Sequence, residues 1–229
     1  MSFGQRFFAS FIKEDRYRWL LEGLGNTLLI TVFAAALGAA VGLLIALVKV
    51  RQHASGRPTI LSRLCDIYLT VVRGTPVVVQ LLIIYFVVLA WSGVSGIVAA
   101  VVAFGLNSGA YVAEIIRAGI LAVDRGQMEA GRSLGLGYSA TMRRIILPQA
   151  IKNILPAMFN ELITLLKETA VAGYIGIRDL TRAGDLIRAR TFDAFLPLLA
   201  VAGIYLLIVL LMTTAMNALE RRLRRSDHR

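Results

Sequence analysis

Residues 129–148 read EAGRSLGLGYSATMRRIILP, from Glu129 to Pro148, a polar and basic stretch set between two apolar segments. Glu129, Ala130 and Gly131 are followed after three residues by Gly135, and after nine more by Ile145, any residue, Leu147 and Pro148. Two short helices fit this spacing. Asp124 with Gln127 three residues on has the pattern of a capping box that opens the first, and Gly135 and Gly137 around Leu136 supply the break. Ser139 is placed to cap the second, and Pro148 removes a backbone donor where that helix meets the next apolar run. The stretch therefore predicts a helix-turn-helix bracket at a membrane surface, with Glu129 on one arm and Arg143 and Arg144 on the other. Gly131 should loosen the first arm slightly, since glycine costs roughly 1 kcal/mol against alanine inside a helix.

Around the bracket the chain is a membrane sequence. Of its 229 residues 57% are hydrophobic, and the mean hydropathy is +0.71. The net charge of +11 does not mark a nucleic-acid binder, because the basic residues fall between apolar runs and form no stripe or aromatic-interleaved face. They read as topology signals and contacts for anionic membrane lipid. The single cysteine, Cys65, excludes an intrachain disulfide. With no Cys/His cluster, no metal site is expected.

Taken in order, residues 1–19 carry Phe3, Phe7 and Phe11 at four-residue spacing and predict an amphipathic N-terminal interfacial segment. Residues 20–220 form the transmembrane domain. Residues 23–48 hold no charge and make a first span, with Gly38, Ala39 and Gly42 as a small-residue packing face. From 67 to 113 the only charge is Arg73, and the run after it is too long for one crossing, so the polar interval from Trp91 to Gly96 turns the chain between spans at about 67–90 and 97–117. Gly74, Thr75 and Pro76 should break the second span. The bracket occupies 124–148, and a fourth span, 149–173, contains Pro156 and the charges Glu161, Lys167 and Glu168, which should face protein or a watery path. Residues 176–193 read as a soluble excursion, 194–219 as the fifth span, and 221–229 as a basic tail.

Lys and Arg number four in 49–63, six in 117–152 and five in 221–229. Basic loops stay inside, so the expectation is an all-α integral membrane protein with five transmembrane helices, N-terminus outside and C-terminus cytoplasmic.

The 129–148 pattern resembles the EAA loop of ABC-importer permeases, written EAA-x3-G-x9-I-x-LP, with Gly131 in place of the third-position alanine. Asn26-Thr27, Arg73-Gly74-Thr75-Pro76 with Gln80, Ala110-Tyr111-x-Ala113-Glu114-Ile115 and Leu165-Leu166-Lys167-Glu168-Thr169 extend the likeness. The chain from about Leu20 to Arg225 looks like the polar amino-acid permease family, which serves histidine, arginine, glutamine, glutamate or cystine uptake. The resemblance implies a type I ABC-importer permease fold in a bacterial inner membrane and a translocation path for a polar or cationic amino acid. It implies a second permease copy or paralogue, two ABC ATPase subunits inside, and an extracytoplasmic amino-acid-binding protein outside. Glu129, Ala130, Gly131, Gly135, Ile145, Leu147 and Pro148 would couple to the ATPase. No lysine follows a glycine here, so a phosphate-binding loop is missing. ATP and Mg would belong to the partner, leaving this chain with no cofactor and no catalytic residue.

A secondary transporter or channel would also need broken helices and buried charges, but would work without an ATPase partner. A membrane enzyme would want its acids clustered, and here they are scattered. On the path itself, Glu161 lies about 18 Å beyond Pro148 along a continuous helix, towards mid-membrane. It is either tied to a fixed cation such as Arg73 or Lys167, or kept for an ammonium or guanidinium on cargo. In the second case the break at Gly74-Thr75-Pro76 would offer backbone donors to the α-carboxylate.

Overall fold

A computed structural model describes residues 2–225. The terminal Met1 and the tail positions 226–229 lie outside the described residues. Among those described, regular structure is helical throughout.

The charge-free run extends into one long helix, α2, Tyr17–Ser55, and the span after the Trp91 turn becomes α5, Gly96–Leu121, opened by the Ser95 hydroxyl accepting from Val98 N. These two form the centre of the molecule. At their crossing, glycines of one helix receive side chains of the other: a Cβ at Gly42 would stand 2.5 Å from Val112 Cγ1, and one at Gly105 would stand 2.7 Å from Leu37 Cδ2. Only glycine lets the two backbones approach this closely, which is how small residues substitute for a hydrophobic driving force inside a bilayer. Ile30, Ala34, Ala100, Ala103, Phe104 and Leu165 complete the core around the crossing.

The second apolar run is bent. Helix α3, Ile60–Gly74, opens on a capping box in which Thr59 and Ser62 satisfy each other's backbone N–H. Thr75 and Pro76 are extended, and α4, Val77–Ile83, starts in a new direction, at 110° to α3. Pro76 explains the corner: it has no N–H to continue the ladder and holds its predecessor out of the helical region.

Beyond the bracket, α8, Leu147–Glu168, carries Pro156 inside it and gives way to a 3-10 turn over Thr169–Ile175. The stretch read as a soluble excursion holds a helix, α9, Leu180–Thr191, whose N-cap Asp179 accepts from Thr181 N and Arg182 N. Asp179 is buried, and that burial holds its carboxyl above the usual carboxylate range. The start of α2 grips this corner. Asn26 Nδ2 donates to Arg178 O at 2.9 Å, and Leu180 N donates to Thr27 Oγ1 at 3.1 Å. The last helix, α10, runs Phe195–Arg225. By length and composition Tyr17–Ser55, Gly96–Leu121 and Phe195–Arg221 can each cross a bilayer, and the bent α3–α4 pair makes a fourth crossing if it counts as one.

The N-terminal segment departs from the single amphipathic helix its phenylalanines suggested. Short α1, Phe3–Phe7, runs into a π turn over Phe8–Ile12, and Glu14 and Asp15 then take positive φ. Arg16 holds this reversal by donating to Ala9 O and Glu14 Oε2.

Candidate functional site

Residues 124–148 fold as the bracket. Helix α6, Arg125–Ser133, starts at Asp124, whose side chain accepts from Gly126 N at 2.7 Å. The expected capping box does not close, because Gln127 Oε1 accepts instead from Gln149 at 3.4 Å. The helix ends in a Schellman motif: Leu136 N donates to Gly131 O and Gly135 N to Arg132 O, with Gly135 at φ +80°. That conformation is nearly free for glycine and costly for a side chain. Gly137, not Ser139, is the N-cap of α7, Tyr138–Thr141.

Gly131 is where the arms meet. It is buried, and a Cβ there would stand 2.5 Å from Thr141 Cγ2 and 2.9 Å from Thr141 Oγ1. The glycine that sequence propensity alone marks as a weakness is thus a packing requirement of this bracket. The second arm does not stop at Pro148. It passes through a π turn, Met142–Ile146, into α8 without a break, since a missing proline N–H is accommodated by one widened turn. The extra residue turns Ile146 inward, and Ile145 and Leu147 are only half-buried. Glu129, Ala130, Arg143 and Arg144 remain exposed. Leu134 and Tyr138, exposed large residues on either side of the turn, were missed by spacing because neither belongs to the repeat that defines the pattern.

The second group of residues lies along α5. Gln80 crosses the α3–α4 corner, its Nε2 donating to Val72 O, Thr75 O and Thr75 Oγ1, while Asn107 Nδ2 donates to Gln80 Oε1 at 3.0 Å. Asn107 is 3% exposed, yet its Oδ1 accepts from no described group. One residue further, Ser108 Oγ donates to Glu161 Oε1 at 2.7 Å. Glu161 and Ser108 line a cavity of about 320 Å³ between α2, α5 and α8, with Ala39, Val112 and Phe159 among its walls.

Among the described residues no cation lies within ion-pair distance of Glu161. Arg73 sits over the Tyr111 ring, 5.6 Å from its centroid, and Lys167 is exposed. Gly74, Thr75 and Pro76 are exposed and do not line the Glu161 cavity. The two sets are joined only through the adjacent residues Asn107 and Ser108, which leave the helix about 100° apart. No group of three or more His, Cys, Asp or Glu residues among those described is arranged to hold a metal.

A helical membrane protein with a polar two-arm bracket at one end and a carboxylate lining a cavity between its helices has the parts of a transport subunit driven from outside itself. Residues 38–225 match the model of the family described as binding-protein-dependent transport system inner membrane component, and the chain belongs to that family. It is similar to the arginine transport system permease protein ArtQ of Bacillus subtilis (strain 168), 44% identical over 211 residues, covering 91% of this chain and 94% of that one. The glutamine transport system permease protein GlnP of Escherichia coli (strain K12) is 38% identical over 208 residues, covering 90% and 93%. A solved structure described as an amino acid ABC transporter with histidines shares the fold at a TM-score of 0.82 and 44% identity, over 93% of this chain and 98% of that chain.

Proposed function

We propose that the chain is the membrane permease subunit of an ATP-driven amino-acid importer, and that its cargo is a cationic or neutral polar amino acid. The observation that carries the substrate reading is Glu161: a carboxylate in the bilayer that is hydrogen-bonded to Ser108 and paired with no described cation. An ionised group so placed is costly unless something positive meets it, and an ammonium or guanidinium on cargo is the available partner. Aspartate and glutamate would bring their extra carboxylate against Glu161. The relatives named for arginine and glutamine transport fit that class.

In this reading α8 is the fifth span, since its 22 residues reach roughly 33 Å. The N-terminus is outside, and the bracket faces the cytoplasm. Two ABC ATPases, which hold ATP and Mg, dock on the brackets of this chain and of a second permease, while a binding protein delivers cargo from outside. Glu129, Ala130, Gly131, Gly135, Ile145, Leu147 and Pro148 form or support the docking surface. The alternation of access requires nucleotide and cargo to prefer different states of the pair. The test is reconstitution in liposomes with the ATPase and binding protein, scoring ATP hydrolysis against each amino acid. Stimulation by arginine, lysine, histidine or glutamine is expected. A response confined to glutamate and aspartate would remove the role given to Glu161.

A further inference from the structure

We propose that α1, the π turn after it and the corner between α9 and α10 form one aromatic platform that seats in the lipid interface at the end of the molecule opposite the bracket. The parts come from the two ends of the chain. Arg6 joins them: its Nε and Nη2 donate to Asp193 Oδ2 and Oδ1 at 2.8 and 2.7 Å, and its guanidinium carbon lies 6.0 Å from the centroid of the Phe195 ring. Beneath that clamp Phe11, 8% exposed, packs with Leu180, Ala183, Ile187 and Leu196. Above it Phe3, Phe7, Phe8 and Phe195 are exposed, and Phe192 is 96% exposed.

Phe192 is also held at φ +53°, a conformation that a bulky side chain adopts only when its surroundings dictate it. Here they do. Asp193 N donates to Thr191 Oγ1 and Phe195 N to Asp193 Oδ1, while the same carboxylate is fixed by Arg6. The corner presents a phenyl ring outward at the expense of backbone comfort, and glycine or asparagine would serve a plain turn better.

Lipid is the occupant because of what the platform adjoins. Phe195 begins α10, and Leu198, Leu199, Leu206 and Leu207 carry its exposed apolar surface onward along a helix that crosses the bilayer. The platform is the head of that lipid-facing flank. Its own helical part, residues 3–12, reaches only about 15 Å, too short to cross, so it lies along the interface. Arg190, exposed in the last turn of α9, is placed for lipid phosphates. The alternative occupants, a binding protein or a second copy of the chain, have no such continuity.

The test uses the assembled transporter in liposomes of phosphatidylethanolamine and phosphatidylglycerol. Single cysteines replace Phe7, Phe192 or, as the reference, Arg188 on α9, in a Cys65→Ser background, and each carries a nitroxide. The ratio of oxygen to nickel-chelate collisions at 7 and 192 should exceed that at 188 several-fold, as for lipid-exposed sites. Phe3→Cys gives the same reading if labelling at 192 disturbs the corner. Water-like ratios at 3 and 7 would overturn the proposal. Exclusion of both reagents from these sites in the assembled complex, or on addition of the binding protein, would also overturn it and assign the platform to a protein partner.

Discussion

Gly131 and Glu161 each do something that their residue types alone do not announce. Gly131→Val would force a branched side chain into Thr141, and overpacking of this kind typically costs about 1–3 kcal/mol. The arms should splay, and retention of the ATPase in detergent should fall. Thr141→Ala in the same chain removes the obstructing atoms and should restore much of the loss, which a pull-down of the four combinations would measure as a coupling between the two sites. Additive losses would mean that Gly131 acts elsewhere. For Glu161, replacement by glutamine keeps the shape and the Ser108 hydrogen bond while removing the charge. Uptake of a cationic amino acid should drop at least tenfold, about 1.4 kcal/mol or more, while the coupling of ATP hydrolysis to the binding protein stays intact. Unchanged uptake and selectivity would return Glu161 to a purely structural position.

The bracket and the N-terminal clamp are elements whose stability can be tested separately. Gly135→Val places a β-branched residue at φ +80°, where the left-handed conformation costs an ordinary residue roughly 1–2 kcal/mol. Transport should fall with membrane levels near normal, and a variant that binds the ATPase like the wild type would contradict the assignment. The clamp answers to acid. Arg6 hydrogen-bonds Asp193 and holds its carboxyl below the usual range, so the folded state binds that proton more weakly than the unfolded one. Its contribution is therefore complete above the unfolded pKa of about 3.9 and is lost only as pH falls through the lower folded value. A nitroxide at position 7 should show one line shape from pH 8 to pH 5 and sharpen below pH 4, whereas Asp193→Asn should sharpen it at every pH. The elements that the sequence disclosed are those with a local chemical cause: the Pro76 corner, the Gly135 turn and the uncharged runs. Those it concealed depend on partners far away in the chain. Gly131 needs Thr141, Glu161 needs Ser108, and Ser108 is a lone hydroxyl in an apolar run with no spacing to mark it. Helix α9 was obscured by its alternating charges, although Asp179 ahead of it was a readable cap. The π turn at Met142–Ile146 came out as a continuation where Pro148 had suggested a handover.

Across the whole molecule the arrangement has a sidedness that labelling can read. Cysteines placed in 49–63 or at Arg221, in a Cys65-free chain, should be shielded from an impermeant thiol reagent in intact cells, while those at Ser95 or Thr181 should react. The reverse pattern would invert the topology and leave the bracket on the wrong side for an ATPase. With the bracket inside, the uninterrupted passage from Tyr138 through the π turn to Glu168 acquires a mechanical meaning. The second arm of the bracket and the carboxylate at Glu161 belong to one helical run that carries Pro156 between them, and Glu161 lies fifteen positions beyond Ile146, roughly 22 Å of helix. A tilt of about 5° at its foot, carried past Pro156, sweeps the far point by about 2 Å over that length, enough to part a 2.7 Å hydrogen bond such as that from Ser108. Leverage of this kind needs no relay of side chains: a push on the bracket is, a few turns away, already a change in the contact between Ser108 and Glu161.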